Sequence, residues 1–143
     1  MHRHRIIHND VKPSNLIFDS LGYIKLTDFG LATVNRLFNV GSGQNISNWT
    51  APEVLSCQQN YSYEADYWSV GVITYQLMMG GELPFKGSDP DQIKKALQST
   101  NINLRTKDIP QGWSWQAADF VNKCLQKSPK KRIGIHRGSL ELK

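Results

Sequence analysis

Four things are scarce in this chain of 143 residues, and each scarcity bears on a class of function. The two cysteines, Cys57 and Cys124, are too few for a disulfide framework and show no metal-ligand spacing to one another, so buried or idle thiols are expected. No apolar run approaches the ~20 residues that span a bilayer. Nor does the N-terminus resemble a secretory signal. No membrane segment is therefore expected, and a soluble, intracellular, cytoplasmic protein is. Glycine does not gather into a phosphate cradle. Gly41-Ser42-Gly43 is the one Gly-x-Gly, Ile46 takes the place of a third glycine, and no strand-turn-strand pattern surrounds it, so a flexible loop is expected. Acidic side chains number 12 against 17 Lys and Arg, a formal charge of +5. Such a balance can serve nucleic acid, but Lys130-Lys131-Arg132 is short and no stacking aromatics accompany it. A solvated basic face is expected, and no nucleic-acid partner.

What is present suffices for one domain, since a chain of this length buries roughly two-thirds of its unfolded surface. Its polar chemistry concentrates in two stretches. In His8-Asn9-Asp10-Val11-Lys12-Pro13-Ser14-Asn15, a carboxylate, an ammonium and an amide lie close together, and Asp28-Phe29-Gly30 adds a second carboxylate. Phosphoryl transfer needs these groups. Asp10 can accept a proton from a substrate hydroxyl, Lys12 can neutralise a transferring phosphate, and Asn15 with Asp28 can hold Mg²⁺ through oxygen. Between them, Leu16 to Leu26 reads as two short strands joined by a turn at Gly22. A hairpin returns its ends to one place, so two oxygen ligands thirteen positions apart can face one metal ion. His2, His4 and His8 suggest a different metal site. Arg3 and Arg5 would repel a cation there, and no Cys or carboxylate is expected to complete a ligand set.

Further along, Ala65 to Met79 is apolar almost all round and predicts a buried helix, stopped by Gly80-Gly81. Asp89 with Pro90 opens a helix to about Leu97. Ser114 caps another, with Ala118, Val121, Cys124 and Leu125 on one face.

Asp10, Lys12 and Asn15 at this spacing, followed by Asp28-Phe29-Gly30, resemble the H-R-D-x-K-x-x-N loop and D-F-G segment of eukaryotic protein kinases. The resemblance continues in order along nearly the whole chain. Ala51-Pro52-Glu53 is similar to the end of the kinase activation segment, and Asp66-Tyr67-Trp68-Ser69-Val70-Gly71 to the D-x-W-S-x-G start of the central helix. Leu83-Pro84-Phe85 matches the Pro-Phe that follows, and Ser128-Pro129 through Arg132-Ile133-Gly134 resembles D-P-x-x-R-x-G with Ser in place of Asp. It implies an α+β fold: the mostly α-helical C-terminal lobe of the protein kinase-like fold, with a short β-hairpin at the catalytic loop. Residues 1–143 would be one partial kinase domain without its N-terminal lobe, and a start and an end inside helices favour a truncated reading of a longer gene over a whole product. The implied activity is transfer of the ATP γ-phosphoryl group to Ser or Thr of a protein substrate, with ATP and Mg²⁺ required. Asp10 would be the base and Lys12 the phosphate contact. Asn15 and Asp28 would be metal ligands, and Ile17 the floor of the adenine pocket. Lys12-Pro13-Ser14-Asn15 looks like the Ser/Thr class. Tyr23 to Ala32 and Ala118-Asp119-Phe120-Val121 look like the AGC group or its calcium-regulated neighbours.

By the same resemblance Asp66 is expected to hydrogen-bond the catalytic-loop backbone, and Glu53 to pair with Arg132. Trp49 is expected to pack by the loop that seats the substrate. Several positions depart from the pattern. Asn9 replaces the usual Arg, and Ile46 replaces the usual Thr five positions before Ala51, leaving Ser47 as a substitute only if the loop shifts by one. Ser14 and Gln76 stand where basophilic relatives carry carboxylates, so a preference for Arg-rich substrates is not implied. With Asn9 and Thr33 both neutral, a phosphate on Ser42 would find no cationic partner unless Arg36 or an N-lobe residue supplied it. Two rival readings stand beside the kinase: a catalytically silent binding module, and a small-molecule phosphotransferase of related fold.

Overall fold

The computed structural model describes residues 1–34, 46–56 and 62–134; Arg36, Ser42 with its flanking glycines, and Cys57 lie outside the described residues. In chain order come strand β1 (Ile6–Ile7), strands β2 (Leu16–Phe18) and β3 (Ile24–Leu26), and strand β4 (Thr33–Val34). Among the described residues four helices follow: α1 (Pro52–Leu55), α2 (Glu64–Met78), α3 (Pro90–Ser99) and α4 (Trp115–Cys124). Short 3-10 turns lie at His2–His4, Pro13–Asn15, Thr106–Asp108 and Pro129–Lys131.

Helix α2 organises the molecule because its sequence offers no consistently polar face. Ala65, Tyr67, Trp68, Val72, Ile73 and Met78 are buried, as is most of its first two turns. Leu77, one residue before the buried Met78, is exposed. The helix begins and ends one residue earlier than the apolar run predicts, and Gly80 and Gly81, both at positive φ, follow it. Helix α4 comes unusually close, since a Cβ on Gly71 would lie 2.4 Å from Cys124 Cβ. Only glycine fits there. Helix α4 lays Ala118, Val121 and Cys124 into the core, and Leu125, just past its end, joins them as the spacing predicts. Trp68 stacks on Phe85 at 5.2 Å, and Ile93 and Leu97 of α3 complete this core.

The caps follow the expected chemistry. Asp89 accepts from Gln92 N at 2.9 Å and Ser114 from Ala117 N at 3.3 Å, each satisfying one amide that the first turn leaves open. Helix α3 runs two residues beyond the expected end at Leu97, to Ser99, where Thr100 turns extended. Among the described residues no helix is long and apolar enough to cross a membrane.

Two antiparallel pairs carry the rest. Strands β2 and β3 pair with Leu16 opposite Leu26 and Phe18 opposite Ile24, the hairpin the sequence predicts. Asp19 builds its turn, with one carboxylate oxygen accepting from Leu21 N and Tyr23 N, both at 2.9 Å, while Gly22 takes φ 83. The Tyr23 amide, helped by Lys25, holds the Asp19 carboxyl below its ordinary range. Strands β1 and β4 pair Ile6 with Val34 and Ile7 with Thr33. That second pair, two residues long on each side, has no alternation by which to be predicted.

Candidate active site

The register of β2 and β3 determines what meets at their open end. With Leu16 opposite Leu26, the next residues outward are Asn15 and Thr27. Thr27 donates to Asn15 O from both its amide, at 2.9 Å, and its hydroxyl, at 3.1 Å. Asp28 is the next residue, so the hairpin brings the neighbourhoods of Asn15 and Asp28 together, as its spacing predicts. Asp28 is exposed at φ 61, a left-handed conformation that Asp tolerates because its short side chain bonds locally. Its Oδ1 accepts from Gly30 N at 3.2 Å.

Asp10 is buried to 9% exposure, and its carboxylate is partnered by Lys12 and Asn15. Lys12 Nζ lies 2.7 Å from Asp10 Oδ2, and Asn15 Nδ2 donates to the same oxygen at 2.9 Å and to Asp10 O at 2.8 Å. Both donors fall on Oδ2. A buried carboxylate needs such partners, because an unpaired one costs several kcal/mol, on the order of its desolvation. The same bonds commit the Asn15 amide nitrogen to Asp10, which turns its carbonyl oxygen to the other side. An amide oxygen and an exposed carboxylate are the hard donors that Mg²⁺ takes, so Asn15 and Asp28 fit that ion.

Two histidines complete the loop, and neither role was legible in the sequence. His8 is fully buried; its Nε2 donates to Thr27 O at 3.0 Å, which leaves Nδ1 to accept from Asp10 N at 3.3 Å. Its ring meets Phe29 edge-on at 4.9 Å. One imidazole thus ties Asp10 to the segment entering Asp28. The only sequence signal for this is a histidine continuing the apolar pair Ile6-Ile7 directly into the polar loop. His2 Nε2 lies 2.7 Å from Asp66 Oδ2, between the rings of Tyr63 and Tyr67. A distant carboxylate does reach His2, from 64 positions away. It arrives as a hydrogen-bond partner, and His8 is engaged elsewhere.

Asp66 also accepts from His8 N at 2.9 Å and Asn9 N at 3.0 Å, the expected anchoring of the loop to α2. The second expected anchor is present too. Arg132 pairs with Glu53 through Nη1–Oε1 at 2.5 Å and Nη2–Oε2 at 2.9 Å, both side chains buried. Arg132 donates further to Glu64 O at 2.8 Å and Gln126 O at 3.0 Å, and its guanidinium lies 5.1 Å from the Trp68 ring centroid. Upstream of Glu53, Ser69 Oγ donates to Trp49 O at 2.8 Å, and Gly87 N donates to Asn48 Oδ1 at 3.1 Å. Trp49 packs against the core. Ser47 is engaged locally: its amide donates to Thr50 Oγ1 at 2.9 Å, and its hydroxyl lies 3.2 Å from the same oxygen.

Ile17 is 50% exposed on the hairpin, on the face opposite to exposed Phe18 and Ile24. Ser14 is exposed as well.

Comparison with known proteins bears on this arrangement. The sequence profile described as Protein kinase domain matches residues 1–139. The mouse Serine/threonine-protein kinase N3 is 34% identical over all of this chain, which covers 16% of that relative. The Arabidopsis thaliana Serine/threonine-protein kinase PEPKR2 is 36% identical over 92% of this chain, which covers 27% of it. The mouse Ribosomal protein S6 kinase alpha-6 is 34% identical over 94% of this chain and 17% of its own length. The chain therefore spans 16 to 27% of the length of these relatives.

Proposed function

Because this chain belongs to the protein kinase domain family, we propose that it is the mostly helical C-terminal lobe of a Ser/Thr protein kinase, with residues 1–143 forming part of one catalytic domain. The reaction is transfer of the ATP γ-phosphoryl group to a Ser or Thr hydroxyl of a protein. One observation carries this reading above all. Lys12 and Asn15 converge on a single oxygen of Asp10, at the end of a hairpin that leads to Asp28.

The convergence on Oδ2 leaves Oδ1 of Asp10 for the substrate hydroxyl. As the hydroxyl oxygen bonds to the γ-phosphorus and the bond to ADP breaks, Asp10 takes the hydroxyl proton. Lys12, a compact ammonium with three donors, touches the carboxylate and a phosphoryl oxygen together. Ile17 offers an apolar surface to the adenine ring. Asn15 Oδ1 and the Asp28 carboxylate would hold Mg²⁺, which would offset charge on the phosphates. His8, Asp66 and the Glu53–Arg132 pair orient these groups and touch no substrate. Ser14 and Gln76 are neutral, so Arg-rich substrates gain no carboxylate partner from them.

A silent binding module has no use for Lys12 and Asn15 held on one oxygen of Asp10. A direct test incubates the full-length gene product with Mg²⁺, radiolabelled ATP and libraries of Ser/Thr peptides, Tyr peptides and small polyols. Label on Ser or Thr is expected. Label on small molecules alone, or none at all, would overturn the reading.

A further inference from the structure

The segment leaving Asp28 is tied to the loop carrying Asp10 by a side chain that the phosphoryl-transfer chemistry leaves unused. Asn9 sits at φ 67, and its backbone N–H is committed to Asp66 Oδ1 at 3.0 Å. With the backbone so held, the side chain crosses to the segment after Gly30. There Nδ2 donates to Leu31 O at 2.9 Å and to Thr33 Oγ1 at 3.1 Å, using both amide hydrogens. A flipped amide would set oxygen against the Leu31 carbonyl, which can only accept, so the orientation is determined by chemistry. The remaining oxygen, Oδ1, is buried without a hydrogen-bond partner, which means the two donated bonds alone hold the group. Thr33 is also the residue that β4 pairs with Ile7, one position before His8.

We infer that Asn9 is a positioning residue: a neutral latch that sets the segment around Asp28 against the loop carrying Asp10, so that the metal side and the base side of the site keep their register. The inference rests on the phosphoryl-transfer reading for its consequence in catalysis. Its geometry is independent of that reading. The left-handed backbone alone does not account for the residue, because Gly and Asp occupy that region as well. Neither could donate to Leu31 and Thr33. An Asp here would place a carboxylate oxygen against the Leu31 carbonyl, and a Gly would leave both acceptors empty.

Those two residues therefore make the test, since each keeps the backbone and removes the latch. In the full-length gene product, Asn9→Asp and Asn9→Gly are expected to lower kcat for peptide phosphorylation at least tenfold while KM for the peptide stays within twofold. Hydrogen exchange at the backbone amides of residues 31–34 should quicken at least tenfold, with helix α4 unchanged. Thr33→Val, which removes one acceptor, should lower kcat about threefold, and Thr33→Ser, which keeps the hydroxyl, should stay within twofold of wild type. Wild-type kcat and exchange in Asn9→Gly would overturn the latch. So would exchange that quickens equally in α4, which would make Asn9 a general stabiliser. Should the wild type transfer no phosphate, the functional reading fails by itself, and the exchange pattern still decides the latch.

Discussion

At the scale of single residues, the division of labour around Asp10 makes a sharp kinetic statement. Its carboxylate faces Lys12 and Asn15, and the proposed chemistry gives it the substrate proton and no contact with the nucleotide. Asp10→Asn in the full-length gene product should therefore lower kcat by about 10² to 10⁴, the usual reach of a general base, with ATP affinity changed less than about twofold. Equal losses in kcat and nucleotide affinity, measured by steady-state kinetics and calorimetry, would remove Asp10 from that role. Cys124 gives a second residue-scale prediction. Burial pushes its thiol up to about 12, against a countering effect of Arg132. In the unfolded chain the thiol ionises near pH 9, so above that pH the unfolded state has released a proton that the folded state keeps. Stability is then lost as pH rises from about 9 toward 12. Between pH 8 and 10 the cost is about 1 kcal/mol. Cys124→Ala keeps the Cβ that packs on Gly71, so urea titrations of both proteins at each pH isolate the thiol: wild type should lose about that much more than the variant.

At the scale of elements, the activation-segment end is clamped from two sides, by Ser69 on Trp49 and by Arg132 on Glu53. The ion pair bridges 79 positions and is buried, so removing one partner strands the other charge. Arg132→Ala and Glu53→Ala should each cost roughly 3 to 5 kcal/mol in denaturant unfolding, and a few tenths would mark a surface contact instead. Gly71→Ala should cost about 1 to 3 kcal/mol, because α2 and α4 must part to admit a methyl group. Those elements show where the sequence was informative. The hairpin from Leu16 to Leu26 was legible because two short apolar runs around a turn glycine are local signals, and the caps at Asp89 and Ser114 because their chemistry is local too. The Glu53–Arg132 and Asp66 contacts are long-range and carry no periodicity; they were anticipated only through resemblance. Strands β1 and β4 were missed because two residues cannot show a period. The Asp66 partner of His2 was missed because nothing near His2 in the chain is acidic. The site followed the same division. Asp10, Lys12, Asn15 and Asp28 announce their chemistry by residue type, whereas His8 and Asn9 act through bonds to Thr27, Leu31 and Thr33 that only the fold creates.

At the scale of the whole molecule, the proposed nucleotide surface is open on one side. Ile17, which with Lys25 lies on the opposite face of the hairpin from Phe18 and Ile24, is half exposed, and Asp28 is exposed too. An adenine laid on Ile17 would be covered from below and bathed in water from above, so little of its apolar surface would be buried. Water would also screen the attraction between the phosphates and Lys12, whose side chain is itself 25% exposed. Positioning contributes most to phosphoryl transfer when the reacting groups are held from all sides and solvent is excluded, and half a cleft does neither. The purified 143-residue chain should therefore bind Mg-ATP with a Kd no tighter than about 1 mM, and transfer phosphate below detection although its polar groups are in place. Isothermal calorimetry and a radiolabel transfer assay on that chain are the measurements. Micromolar affinity would mean that the hairpin face and the Asp10 loop make a sufficient nucleotide site by themselves, and the proposal that residues 1–143 are one lobe of a two-lobed domain would have to be given up.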